Sequence, residues 1–233
     1  MKYLIADLVT EFEPKHSHLK NLAKPFEYFG DRKTDITVSL SDEYINSMLK
    51  KMVPGTTVGE AEEFCYAGSF CRSVIKHSAM LIHSSAIEYN GKAYLFSARS
   101  GAGKSTHTAL WRKAFGNDVK MINDDKPVVR ISGGKAVAYG TPFDGGSKIA
   151  NNISAPLGAV VFIERGEKNS IRKAETSEII KNLYYSTAHF IGRSTADKML
   201  TNFENLLYCT DFYILTCNTD ISAAYTARNA IVK

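Results

Sequence analysis

Hydrophobic and polar positions alternate in short stretches along this chain, and the period changes often between that of a strand and that of a helix. Residues 3–12 are rich in aliphatic side chains and read as a strand, and Pro14, Pro25 and Gly30 punctuate the irregular segment that follows. Ile36-Thr37-Val38-Ser39-Leu40 alternates as a second strand, after which Ser41 or Asp42 caps a helix to Lys51 that Pro54-Gly55 stops. From about 60 to 77, Phe64, Ala67, Cys71, Val74 and Ile75 recur at helical spacing, which predicts a helix with one buried face. Residues 80–89 read as one strand ending in Asn90-Gly91, the strongest hairpin signal in the chain, and Lys92-Ala93-Tyr94-Leu95-Phe96-Ser97 alternates as the return strand. A helix over 105–115 places Leu110, Trp111 and Phe115 close to one face, with Gly116 as its stop.

Beyond it, 119–122 is a short apolar strand, and 127–131 and 135–139 pair across Ser132-Gly133-Gly134. Leu157-Gly158-Ala159-Val160-Val161-Phe162-Ile163 is continuously apolar, as a central strand buried on both faces requires. Two helices follow, over 176–187 and 195–209, the second opened by Ser194 with Asp197 as a capping box. Its core face is Met199, Leu200, Phe203, Leu206 and Leu207. Residues 212–216 form a last strand, and Asp220 caps a closing helix to about 232. This succession predicts an α/β fold, a mixed β-sheet with flanking helices, in which 61–233 is the main unit and 1–60 an appended α+β subdomain.

Composition narrows the partners. The chain has 233 residues, of which 44% are hydrophobic and 23% charged, as expected of a globular protein. The net charge of +5 comes from lysines scattered singly, with no basic run, so it favours anionic ligands without indicating nucleic acid. Cys65, Cys71, Cys209 and Cys217 fit neither a zinc ribbon nor C-x-x-C, and free thiols in a reducing cytoplasm are the simplest account. His16, His18, His77 and His189 show no metal-ligand spacing. No apolar run reaches the length of a membrane span, and Asp7 interrupts the N-terminus too early for a signal peptide, so the expectation is a soluble, cytoplasmic protein without membrane contact.

The stretch that carries chemistry is Ala98-Arg99-Ser100-Gly101-Ala102-Gly103-Lys104-Ser105-Thr106, a near-match to G-x-x-x-x-G-K-[ST]. Small residues let the backbone curl so that successive N–H groups of Ser100, Gly101, Ala102, Gly103, Lys104, Ser105 and Thr106 face a phosphate. The lysine reaches the outer phosphates and the Ser105 hydroxyl ligates magnesium. Ala98 stands where the pattern has its first glycine, so the loop there must use an ordinary dihedral or absorb strain. The strand before and the helix after are in register, and the helix start adds free N–H groups and a positive dipole end. An antiparallel hairpin feeding such a loop is unusual, since most nucleotide-binding units enter from βαβ crossovers.

With that hairpin, Ile82-His83-Ser84-Ser85-Ala86 before it, the loop, and Ile122-Asn123-Asp124-Asp125 after it, the segment from His83 to Asp125 resembles the catalytic half of the HPr kinase/phosphorylase family, which is related to the phosphoenolpyruvate carboxykinases. The resemblance covers neither the first 60 residues nor the length of the full bacterial enzyme, so it extends to the broader HPr-kinase-like group and not to HPr as substrate. It implies a phosphoenolpyruvate-carboxykinase-like catalytic fold, ATP and Mg2+ as cofactors, and transfer of a phosphoryl group to a hydroxyl of a peptide, a protein or a small molecule. Relatives in this group are often oligomeric, so it also implies a homo-oligomer as a possible state of this chain.

Asn123-Asp124-Asp125-Lys126-Pro127 taken alone is a turn. One strand beyond a phosphate loop, it falls where phosphoryl transfer needs one carboxylate for magnesium and another for the attacking hydroxyl. The resemblance suggests Asp124 as base and Asp125 as metal ligand, and the two roles are exchangeable at this level. It also raises His83 to a group that contacts phosphate or tunes the carboxylates, against a strand histidine bonded inside the fold. Arg99 and His107 are candidate phosphate or substrate contacts. Gly140-Thr141-Pro142-Phe143-Asp144-Gly145-Gly146-Ser147-Lys148 is a second glycine-rich loop in which Asp144 and Lys148 could cradle a ligand or merely connect strands. A carboxykinase-like enzyme and an ATP-binding regulatory module are the other two classes compatible with this set.

Overall fold

The computed structural model describes residues 1–147, 149–187 and 193–232. Lys148, His189 and the side chain of Ser194 lie outside the described residues. In chain order the elements are β1 (Lys2–Ile5), β2 (Leu8–Glu11), α1 (Ser17–Ala23), β3 (Ile36–Thr37), α2 (Asp42–Leu49), α3 (Val58–Val74), β4 (Ala79–Leu81), β5 (Ser84–Tyr89), β6 (Lys92–Ser97) and α4 (Lys104–Phe115). They continue as β7 (Val119–Asn123), β8 (Val128–Ser132), β9 (Lys135–Tyr139), β10 (Ser154–Arg165), β11 (Ser170–Lys173), α5 (Thr176–Thr187), α6 (Arg193–Cys209), β12 (Asp211–Cys217) and α7 (Ser222–Ile231).

The architecture is a mixed sheet flanked by helices, with nine strands in the main sheet and a separate sheet of β1, β2 and β3. β10 is its axis. Its start pairs antiparallel with β9, and from Ala159 on it runs parallel between β6 and β12. The continuous apolar run of β10 follows from burial on both faces. Val160 and Phe162 join one core with Leu95, Ile214 and the helical residues Leu183, Phe203 and Leu206. Val161 and Ile163 join the other with Phe96, Leu215, Trp111 and the alanines of α7. A third core crosses residue 60, since Ile5, Leu8 and Phe26 pack with Tyr66 and Phe70 of α3 and with Leu81, Val128 and Phe143.

Several elements depart from the pattern read in the sequence, among them α1, which forms in the segment read as irregular, and β3, which keeps only Ile36–Thr37 of the strand read over 36–40. Residues 3–12 form a hairpin, not one strand, because Ala6 and Asp7 both take positive φ (53° and 58°) and turn the chain without a glycine. Residues 80–89 break at Ile82-His83, so that β4 pairs with β8 while β5 pairs with β6 and β7. β11 was not predicted; it is a short, charged edge strand on β12. The Asn90-Gly91 turn has positive φ at both positions (51° and 74°), the geometry that matches strand twist. α3 starts at a capping box, in which Glu60 accepts from the Thr57 amide at 2.7 Å and Thr57 Oγ1 accepts from the Glu60 amide at 3.3 Å. No described helix is long and apolar enough to cross a membrane.

Candidate active site

β6 is buried at every position but its first and delivers the chain to the loop at 98–103, which ends as Gly103 caps α4. Positive φ falls on Gly101 (73°) and Gly103 (110°) and not on Ala98, so the alanine in the first glycine's place sits in an ordinary dihedral without strain. No side chain caps α4, and its hydrogen-bond ladder begins only at the His107 amide, 2.9 Å from Gly103 O. The first-turn amides of Lys104, Ser105 and Thr106 therefore lack intrahelical partners, as an anion site at a helix start requires. The Ala102 amide is spent on Arg99 O at 3.0 Å. Arg165, at the end of β10, donates to Gly101 O and pins the loop to the sheet.

Lys104 is buried, and its Nζ has one long contact, 3.4 Å to Ala98 O. Burial pushes its ammonium below the usual lysine value, and the charges of Asp125 and Asp124 oppose that shift. Ser105 and Thr106 are exposed at the start of the helix.

The acidic pair is set by Asn123, which ends β7 fully buried. Its side-chain oxygen accepts from the amides of Asp125 (2.8 Å) and Lys126 (2.6 Å), while its amide donates to Thr141 O and Phe143 O of the second glycine loop. The two carboxylates then meet different neighbours. Asp124 Oδ1 accepts from Ser85 Oγ at 2.5 Å. Ser85 has one hydroxyl proton, and with that on Asp124 it accepts from Thr108 Oγ1 at 2.8 Å, whose alternative acceptor is Ser105 O at 3.2 Å. A hydrogen-bonded chain therefore runs from Asp124 through Ser85 of β5 to Thr108 of α4. Asp125 is engaged on both oxygens, by His83 Nε2 at 2.9 Å and by Lys126 Nζ. Burial would raise the Asp125 carboxyl, but the His83 hydrogen bond and the Lys126 charge outweigh it and hold the group well below the usual carboxylate range.

The structure thus brings His83, Lys104, Asp124 and Asp125 together with the loop. Sequence reasoning missed Ser85, Thr108, Asn123 and Lys126; the only signal was polar side chains interrupting apolar strands and a helix face. Arg99 is exposed with its guanidinium 5.3 Å above the Tyr185 ring, and both residues line a cavity of about 280 Å³ that also holds His83 and Ser100. Asp144 is buried away from these groups. Its Oδ1 accepts from the Gly146 amide at 2.9 Å, and its own amide donates to the buried Glu63 of α3 at 3.0 Å. The second glycine loop reaches the site at Gly145 instead, where an added Cβ would lie 2.7 Å from Asp125 Oδ2. Gly145 thus lets the loop close over the carboxylate.

His107 is buried inside α4, its ring 4.6 Å from that of Phe96, and it accepts a hydrogen bond from Trp111 Nε1 at 3.0 Å. Burial pushes its pKa down to about 4. The folded state holds this group neutral, whereas the unfolded chain protonates it near the ordinary histidine value of about 6.5. Its contribution is therefore complete above pH 6.5 and is lost as pH falls toward 4, by about 3 kcal/mol in all. The Asp125 contribution has the same sign, but its loss starts only below the ordinary carboxylate value near pH 4. Melting curves from pH 7 to 4 should fall less steeply for His107→Gln than for the wild type; parallel curves would refute the neutral, buried state.

No family model matches the chain, and no curated protein matches it. Among solved structures, the Hpr(Ser) kinase/phosphatase from Coxiella burnetii aligns with 64% of this chain and 95% of its own, at 9% identity and a TM-score of 0.39. A likeness at that score says nothing of chemistry, which has to come from the residues.

Proposed function

We propose that this protein is an ATP-dependent kinase that transfers the γ-phosphoryl group to a hydroxyl of a peptide, a protein or a small molecule. The observation that supports it most is the hydrogen-bonded chain Asp124–Ser85–Thr108, which ties a carboxylate to a helix that opens on a glycine-rich loop and a buried lysine. A loop of this kind holds phosphates, and a carboxylate beside it has work only if a proton or a metal is involved.

The roles follow from the neighbours. The free amides of the loop and of the first turn of α4, with the Lys104 ammonium, hold the β- and γ-phosphates and stabilise the charge that gathers on the equatorial oxygens. Asp125 is too acidic to be a useful base, since its carboxyl is held far down by His83 and Lys126. Asp124 is held by a neutral hydroxyl on one oxygen, and among the described residues its Oδ2 accepts no hydrogen bond. It takes the proton of the acceptor hydroxyl at that oxygen, while Ser85 fixes its orientation. The acceptor enters through the cavity that His83, Arg99 and Tyr185 line beside the carboxylates.

Magnesium fits the residues present. It prefers oxygen ligands and is commonly held by one or two carboxylates plus substrate phosphates and water. Among the described residues no group of three or more His, Cys, Asp or Glu forms an all-protein cage. The exposed Ser105 hydroxyl and Asp125 would hold the ion, since a carboxylate has about four lone-pair sites and the two bonds to Asp125 leave room. When bound, it would supply positive charge that neutralises the phosphates.

The test is to incubate the protein with γ-labelled Mg-ATP and fractionated cell extract, with peptide and small-molecule fractions kept apart. A labelled acceptor in either fraction is expected. Tight ATP binding with no labelled product in any fraction would assign the site to a regulatory ATP-binding module.

A further inference from the structure

A second cavity, of about 610 Å³, opens on the other flank of the loop, and the phosphoryl-transfer chemistry uses none of its side chains. One wall is the loop at Gly101 and Gly103 with Thr106, His107 and Leu110 of α4; the other is the carboxyl ends of β10 and β12 at Ile163 and Cys217. β6, β10 and β12 are the three parallel strands of the sheet, and ligands in α/β proteins gather outside the carboxyl ends of such strands. The size is that of a pocket for a small organic ligand. Leu110, Ile163 and Cys217 offer an apolar surface, and Thr219 stands exposed at the rim.

Arg165, Glu167 and Asn218 are also among its polar lining residues, and the buried one is His107, which is 2% exposed. Indole nitrogen only donates, so the 3.0 Å bond from Trp111 Nε1 makes His107 Nε2 an acceptor. The ring is neutral, and the proton must then sit on Nδ1. That Nδ1–H is buried and has no partner among the described residues. A buried donor without a partner costs free energy comparable to a lost hydrogen bond unless a ligand supplies the acceptor.

We infer that this cavity is the nucleoside subsite: the base lies against Leu110, Ile163 and Cys217, and an acceptor atom on it takes the His107 Nδ1–H that Trp111 holds in place. The assignment rests on the phosphate-loop reading, because it places the base on the flank of a loop that holds the phosphates. It assigns the affinity for the organic half of the nucleotide to a residue that does not touch the transferred group.

Calorimetric titration of Mg-ATP against inorganic tripolyphosphate separates the two readings. The wild type should bind ATP at least about tenfold tighter than tripolyphosphate, one hydrogen bond to a buried donor with its apolar contact being worth that factor. His107→Met, which keeps the volume and a sulfur acceptor for Trp111 but has no N–H to donate, should lose most of that preference and leave tripolyphosphate affinity unchanged. Thr219→Trp, which fills the rim without disturbing the core, should do the same. Equal binding of ATP and tripolyphosphate by the wild type would overturn the subsite while leaving the loop intact. So would a His107→Met variant that keeps its ATP preference, or one that weakens both ligands alike. Failure of the wild type to bind either ligand would overturn the loop reading and the subsite with it.

Discussion

Lys104→Met should reduce phosphoryl transfer from ATP by at least about 10³-fold, some 4 kcal/mol of lost transition-state stabilisation, while the melting temperature stays within about 4 °C of the wild type. The two halves of this result have separate causes. Among the described residues the ammonium is the one buried cation at the loop, and in a water-poor site its attraction for phosphate charge far exceeds its value in solvent. For the fold it does little. Its single contact is 3.4 Å long, and burial already drives it toward deprotonation. Methionine fills a similar volume without a charge to desolvate, so the lost attraction to Asp125 and Asp124 is largely offset. A chain of this size shifts by roughly 2–4 °C per kcal/mol, which bounds the change in stability. Transfer within tenfold of wild type would remove the lysine, and the kinase with it, from the proposed chemistry.

The parts of the fold that were legible in the sequence are those where local chemistry and tertiary burial agree. Asn90-Gly91 turns as its αL preference dictates, and β10 is apolar on both faces because cores lie on both. The glycine-rich loop could be read for the same reason, since Gly101 and Gly103 are the two positions that take positive φ. What could not be read depends on contacts made at long range. Nothing in Ala6-Asp7 announces a turn, yet the three-stranded sheet and its packing on α3 require one. His83 sat in an apolar run that reads as one strand. The break beside it is imposed by β4 and β5 pairing with different neighbours, and that break aims the ring at Asp125.

The same division runs through the site. Asp124 and Asp125 were found by their place after the loop, but their difference was not, because it lies largely in His83 and Ser85, about 40 residues earlier in the chain, and in how Lys126 folds back on Asp125. Glu62 and Glu63 of α3, which the helical spacing does not single out, are both buried. Glu62 holds the amides of Lys15 and His16 at 2.6 and 3.1 Å. Glu63 holds those of Asp144 and Gly145 at 3.0 and 3.1 Å. Acids that satisfy backbone amides of distant loops leave no mark in a hydrophobic pattern. Through Glu63 the helix that carries the N-terminal sheet also fixes the loop that closes over Asp125 at Gly145.

Asp124→Asn should then cost transfer about 10²- to 10⁴-fold in kcat, the usual range for a positioned base, with the dissociation constant for ATP and the melting temperature little changed. The amide oxygen can still accept from Ser85, so the chain to α4 survives; what is lost is the oxygen that takes a proton. Asp125→Asn separates the two carboxylates. It strips the counter-charge from Lys126, whose side chain is 11% exposed, and weakens the hold on His83. A cation left buried without its partner costs about 3–5 kcal/mol when fully enclosed. With the Asp125 side chain still 22% exposed, about 2–3 kcal/mol is expected, or some 4–12 °C. If Asp124 is the base, its variant loses rate with its fold intact, and the Asp125 variant loses stability along with any affinity for magnesium. Rate loss confined to Asp125→Asn, with Asp124→Asn active, would exchange the two roles. Full activity in both would leave the loop as a binding site without a catalytic carboxylate.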